Sequence, residues 1–175
     1  TLWPDYVKLL AQLGSVFDQY GITVRDMINF KGLLVNLLGE TYFTAINLVN
    51  LLMWVVSALV VAWLWRGSWE PQSPDFSLKL AFSLTLGLVF SPHSNVQDAL
   101  FLVFPVFLFY MNLRQNAPTQ AQTLGWLALG SPTILLISEF LLRNELPFHL
   151  PFLLLLGLAI WIGNVLRRSS LNHVA

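Results

Sequence analysis

Residues 45–65 read AINLVNLLMWVVSALVVAWLW, without a charged side chain, and Arg66 closes the run. About 20 mostly apolar residues in a helix cross a hydrocarbon core of about 30 Å. This stretch therefore predicts a membrane-spanning helix, and its neighbours decide what kind of membrane protein contains it. Residues 124–142 and 148–166 are apolar at similar length, although Glu139 interrupts the first of them. Between lie residues 78–90 and 96–113, which share the turn Ser91-Pro92-His93-Ser94-Asn95. The expected fold is all-α: a multi-pass bundle of about five spans over residues 44–175. Trp63, Trp65 and Trp69 cluster where the first span ends, as an interfacial aromatic belt does. Pro105 and Pro132 fall inside predicted spans and predict kinks there.

Composition agrees with this reading. Hydrophobic residues make up 56% of the 175 positions and charged residues 10%, against roughly a quarter charged in soluble domains. Nine basic and nine acidic residues cancel, which argues against nucleic acid as a partner. The absence of cysteine excludes disulfides and thiolate chemistry. His93, His149 and His173 are too scattered for a metal-ligand spacing, and no cofactor is implied.

Residues 1–43 differ from the remainder. Trp3, Tyr6, Val7, Leu10, Leu13 and Phe17 recur at helical spacing, with Pro4 at a first helical position and Gly21 at the end. Asp5, Lys8, Gln12, Ser15 and Asp18 take the opposite face, so an amphipathic helix lying on a surface is expected. A second short helix is predicted from about Ile28 to Leu38, with Gly39 at its C-terminal stop. No signal peptide is legible, and the start at Thr1 suggests a piece of a longer chain.

Five spans put the chain ends on opposite sides. One side carries Lys8, Arg25, Lys31 and Arg143 against Asp5, Asp18, Asp26, Glu40 and Glu145. The other carries Arg66, Lys79, Arg114, Arg167 and Arg168 against Glu70 and Asp75. Basic residues near span ends favour the cytoplasm, so a plasma-membrane protein with a cytoplasmic C-terminus is expected. Residues 1–43 and 91–95 are then extracytoplasmic. Residues 80–90 supply only about 16 Å of helix, so the turn after them should sit below the outer surface, where protein must satisfy its backbone.

Two polar clusters stand out on that outer side. In Ser91-Pro92-His93-Ser94-Asn95-Val96-Gln97-Asp98, Asn95 suits a helix N-cap and Asp98 completes something like a capping box. His93 has no such role, and an imidazole at membrane depth is read as functional. In Arg25-Asp26-Met27-Ile28-Asn29-Phe30-Lys31-Gly32, two cations flank an amide at a helix start, which suits an anionic headgroup or a sugar phosphate. From spacing alone, a solvated juxtamembrane loop is the favoured reading of that second cluster. Glu139 and Arg143, four apart, suit an ion pair.

Met27-Ile28-Asn29-Phe30-Lys31-Gly32-Leu33-Leu34 resembles the Asn-aromatic/Leu-basic-Gly-Leu segment of glycosyltransferase family 87. That family contains polyprenyl-phosphate-mannose-dependent mannosyltransferases of the multi-spanning C-type superfamily. The stretch from Ser91 to Asp98 resembles the family's late outward loop, and Trp69-Glu70-Pro71 with Asp75-Phe76 its cytoplasmic connector. The resemblance implies inverting transfer of a mannose-like sugar from a polyprenyl-phosphate donor at the outer face. It implies an acidic base outside this chain, in an N-terminal half that would be a partner of these residues alongside the bilayer. It also implies substrate-binding roles here: Arg25 and Lys31 toward phosphate, Asn29 toward hydroxyls or its own loop, and His93 toward sugar or phosphate. Asn95, Gln97 and Asp98 would complete that surface. Two other readings remain open. One is a transporter or lipid-flipping subunit that binds substrate at the polar turn; the other is a non-catalytic membrane scaffold.

Overall fold

A computed structural model of the chain describes residues 3–5, 24, 27–66, 69–73, 75–92, 94, 96–142 and 150–172; for 96, 97, 131–142 and 170–172 it describes the backbone course. Among these residues the chain is all-helical. Helix α1 spans Phe30–Leu38, and a 3-10 turn Glu40–Tyr42 leads into α2, Phe43–Leu64. Helix α3 is Phe76–Val89; a 3-10 segment Val96–Leu102 then precedes α4, Val103–Asn116. Pro118–Leu142 forms α5 and Leu150–Asn172 forms α6.

Helix α2 is inside out compared with a helix of a soluble protein. Its buried residues are Ile46, Asn50 and Ser57, which fall on one stripe because i, i+4 and i+11 share a helix face. Leu48, Leu52, Leu59 and Trp63, by contrast, are each at least 60% exposed. Ser57 satisfies itself by donating to the Trp54 carbonyl, 2.8 Å away. Two polar residues against protein and leucines outward is the arrangement hydrocarbon solvent selects, since lipid rewards no burial of leucine.

Two stretches among the described residues, Glu40–Leu64 and Leu150–Ser169, are long and apolar enough to cross a membrane. Only 11% and 28% of their apolar windows are buried, which distinguishes them from core helices of a soluble protein.

The core forms around α3. Leu78 and Ala81 of α3 meet Phe109 and Leu113 of α4, Ala121 and Leu124 of α5, and Ile162 and Leu166 of α6. Farther along α3, Leu86 and Val89 join Phe152, Leu155 and Ala159 of α6, and Ile28 caps this second cluster from before α1. At 14 residues, α3 rises about 21 Å, short of a full span.

The segment predicted as one helix over 96–113 starts differently. A 3-10 turn occupies Val96–Leu102, and the α-helix begins at Val103 with Leu102 as N-cap and no side-chain cap bond. Proline supplies the physical reason. An α-helix from residue 96 would have Pro105 in its interior, where the missing N–H and the ring's clash cost about 3 kcal/mol. Starting at Val103 puts Pro105 in the first turn, where no N–H is needed. Pro105 therefore sits in the first turn of α4 and not in a helix interior, and Asp98 lies in the 3-10 segment ahead of the α-helix. Helix α5 continues through Pro132.

Of the predicted N-terminal amphipathic helix, Trp3, Pro4 and Asp5 are helical; the remainder of its stripe lies outside the described residues. So do Arg143, His149 and His173, and the Glu139–Arg143 pair with them.

Candidate functional site

Where α1 begins, a short sequence is built to close tolerances. Asn29 is extended, at φ −103° and ψ −178°, and its Oδ1 accepts from the Gly32 N–H at 2.9 Å, a side-chain N-cap. Gly32 is required by space: a Cβ there would lie 2.0 Å from the Met27 carbonyl oxygen. Gly39 ends the helix at φ 81°, its N–H bonded to the Val35 carbonyl, a conformation glycine adopts without a steric penalty.

The same asparagine reaches across the fold. Its Nδ2 donates to the Ser91 carbonyl at 2.8 Å, 62 residues away in sequence. One residue earlier, the Ile28 N–H donates to the Ser94 carbonyl at 3.0 Å. Ser94 in turn donates from Oγ to the Leu88 carbonyl at 3.3 Å. These partners fix the amide's orientation, because a backbone N–H needs an oxygen and a backbone carbonyl needs a donor. The two polar clusters of the sequence thus meet at one junction beyond the end of α3. The Ser91 and Ser94 carbonyls of the irregular turn are thus met by protein donors.

Aromatic and apolar side chains seat this junction. Phe30 packs edge-on against Phe90 at 5.7 Å between ring centroids and against Phe152 at 6.0 Å. Met27, Asn29 and Ser94 are essentially inaccessible. Lys31 is buried too, with 3% of its surface exposed, and its Nζ lies 4.9 Å from the centre of the Phe43 ring. Burial lowers its pKa from the usual lysine value. A solvated juxtamembrane loop therefore does not describe these residues. The ammonium sits in a medium of low dielectric, where it attracts an anion more strongly than it would in water.

The structure brings Asn29 and Lys31 to the junction and gives them different work. Asn29 is fully buried and spends its amide on protein, so it positions the loop. Lys31 carries the charge. Asp98 is half-buried in the 3-10 segment, with Gln97 beside it in the backbone. His93, Asn95 and Arg25 lie outside the described residues. Sequence reasoning missed Phe43, because no pattern pairs a lysine with a ring twelve positions later. It also missed the Ser91 and Ser94 carbonyls, since backbone acceptors leave no compositional signal.

Comparison with known proteins finds no family model, no curated protein and no solved structure that matches this chain.

Proposed function

We propose that this chain is the membrane portion of a glycosyltransferase that moves a mannose-like sugar from a polyprenyl-phosphate donor at the outer membrane face. The observation that carries the reading is the double bond between clusters: Ile28 N–H to Ser94 and Asn29 Nδ2 to Ser91. Residues resembling two separate segments of family 87 form one polar junction, with a buried cation beside it. In this reading five helices span the bilayer, residues 1–43 and 91–95 face outward, and the C-terminus is in the cytoplasm of the plasma membrane. An amphipathic N-terminal segment covers the outer side. Lys31 and Arg25 attract the donor phosphate, and His93 approaches the sugar from the turn. Asn95, Gln97 and Asp98 line the entrance, and Asn29 holds the two segments in register. The acidic base is assigned to none of these 175 residues.

Transfer from polyprenyl-phosphate mannose by the intact purified protein tests this. Lys31→Ala and His93→Ala should each lower transfer by roughly 10- to 150-fold, the cost of one charge-assisted hydrogen bond. Lys31→Arg should retain more activity than Lys31→Ala, because phosphate responds first to charge. Wild-type kinetics in both alanine variants would remove the donor site from this junction and leave a scaffold as the better reading.

A further inference from the structure

At the other end of α3, about 20 Å from the junction by helix rise, lies a cavity of about 230 Å³. Its walls include Trp65, Arg66, Glu70, Ser73, Phe76 and Lys79. At roughly 30 Å³ per water, it admits a phosphodiester group and is too small for a folded partner. Two cations from different elements face one carboxylate. The connector's other acid, Asp75, accepts a hydrogen bond from Ser169 Oγ. That bond draws the end of α6, with its exposed Arg167 and Arg168, to the same end of the bundle. The local balance is positive.

The walls are fixed before any ligand arrives. Trp65 stacks on Trp69 at 4.9 Å, and both meet Phe76 edge-on at 5.3 and 4.9 Å. Trp65 Nε1 donates to Ser83 Oγ at 2.8 Å. The Arg66 guanidinium lies 4.9 Å over the Trp63 ring. Trp63 and Trp69 remain 60% and 67% exposed, at the level an interfacial belt occupies. From this cavity the outward leucines and valines of α2 continue along the helix as a surface for acyl chains.

We propose that this cavity holds the phosphate of an anionic phospholipid in the leaflet at that end of the bundle, with its chains along α2. The proposal rests on α2 being a span and is independent of sugar transfer. A phosphate ester supplies acceptors for Arg66 and Lys79, and a headgroup without its own cation suits the positive balance.

Thermal unfolding of the purified chain in an uncharged detergent tests it, with short-chain phosphatidylglycerol, phosphatidylcholine or inorganic phosphate as added probes. Phosphatidylglycerol should raise the Tm in a saturable way, and the other two should do little at equal concentration. In the double variant R66Q/K79Q the apparent affinity should fall at least about tenfold, whereas Lys79→Arg should keep it. An equal effect of phosphatidylcholine, or equal affinity in the double variant, overturns the proposal. An equal effect of inorganic phosphate overturns it in favour of a soluble-anion site. Should the double variant fail to fold, wild-type protein in vesicles decides. Brominated phosphatidylglycerol must quench tryptophan fluorescence more than brominated phosphatidylcholine at the same mole fraction, and no excess overturns the proposal.

Discussion

Removing the Asn29 amide should loosen two elements at once. In Asn29→Ala, α1 loses the cap on the Gly32 N–H, and the Ser91 carbonyl loses the donor that ties it to α1. An N-cap is worth about 1 kcal/mol, and taking a partner from a buried polar group costs about 1–3 kcal/mol. The expected loss is therefore about 2–4 kcal/mol, roughly a 30- to 700-fold change in the folded-to-unfolded ratio. Asn29→Ser separates the two contributions, because serine caps well but its hydroxyl is too short to replace the amide bond to Ser91. It should cost about 1–3 kcal/mol. Asn29→Asp keeps the cap oxygen but sets a carboxylate against the Ser91 carbonyl at full burial, so it should be at least as damaging as alanine. Unfolding of the purified chain in mixed micelles, followed by tryptophan fluorescence, measures all three. If Asn29→Ser unfolds at the wild-type midpoint, the link across 62 residues contributes nothing and the junction is held by apolar packing alone.

Other perturbations address separate features. Gly32→Ala must displace the Met27 carbonyl and should cost about 1–3 kcal/mol, the usual penalty for overpacking, in the same assay. Pro105→Ala should change stability by less than about 0.5 kcal/mol, because the restored N–H lies in the first turn of α4; a larger gain would mean the proline strains the helix. Burial lowers the Lys31 pKa, so the unfolded chain binds this proton more tightly than the folded one. Stability then rises with pH between the lowered folded value and 10.5, so the stability of wild type relative to Lys31→Met should rise across that window. For sidedness, Pro92→Cys on intact cells should react with a membrane-impermeant thiol reagent and Arg168→Cys should not. Both positions are exposed, and labelling at 168 alone would invert the topology.

The all-helical class and the helix over residues 45–65 were legible because a long uncharged apolar run has a helix as its simplest structure. The observed α2 starts two residues earlier and ends one residue earlier, and of the five expected spans two are long and apolar enough among the described residues. Gly39 was legible as helix punctuation, since a helix stop restricts residue type. The Asn29 cap and the close approach at Gly32 were not, because the sequence placed the helix start at about Ile28 and read the asparagine as a ligand amide. What was not legible depended on long-range geometry. Nothing near Lys31 announces burial, and spacing alone made a solvated loop the better reading until α1 docked against the turn. Pro105 was misread because a proline ten residues into an apolar run suggests a kink. Its alternative, a helix that starts late behind a 3-10 turn, satisfies the same sequence. The cavity at Arg66 and Lys79 needed the connector's fold, which brings together residues that entered the sequence reading only as separate charges on one side.

The most direct measurement asks whether a lipid-phosphate sugar sits at the junction of the two clusters. A photo-crosslinking side chain at Pro92, exposed beside that junction, and one at Leu59, exposed on α2, should be compared in the intact protein with a radiolabelled polyprenyl-phosphate-mannose donor. Label is expected at 92, lost on adding unlabelled donor, with only weak and uncompeted label at 59. Equal, uncompeted labelling at the two positions would mean that the donor samples the bilayer around the protein and that the junction is no donor site.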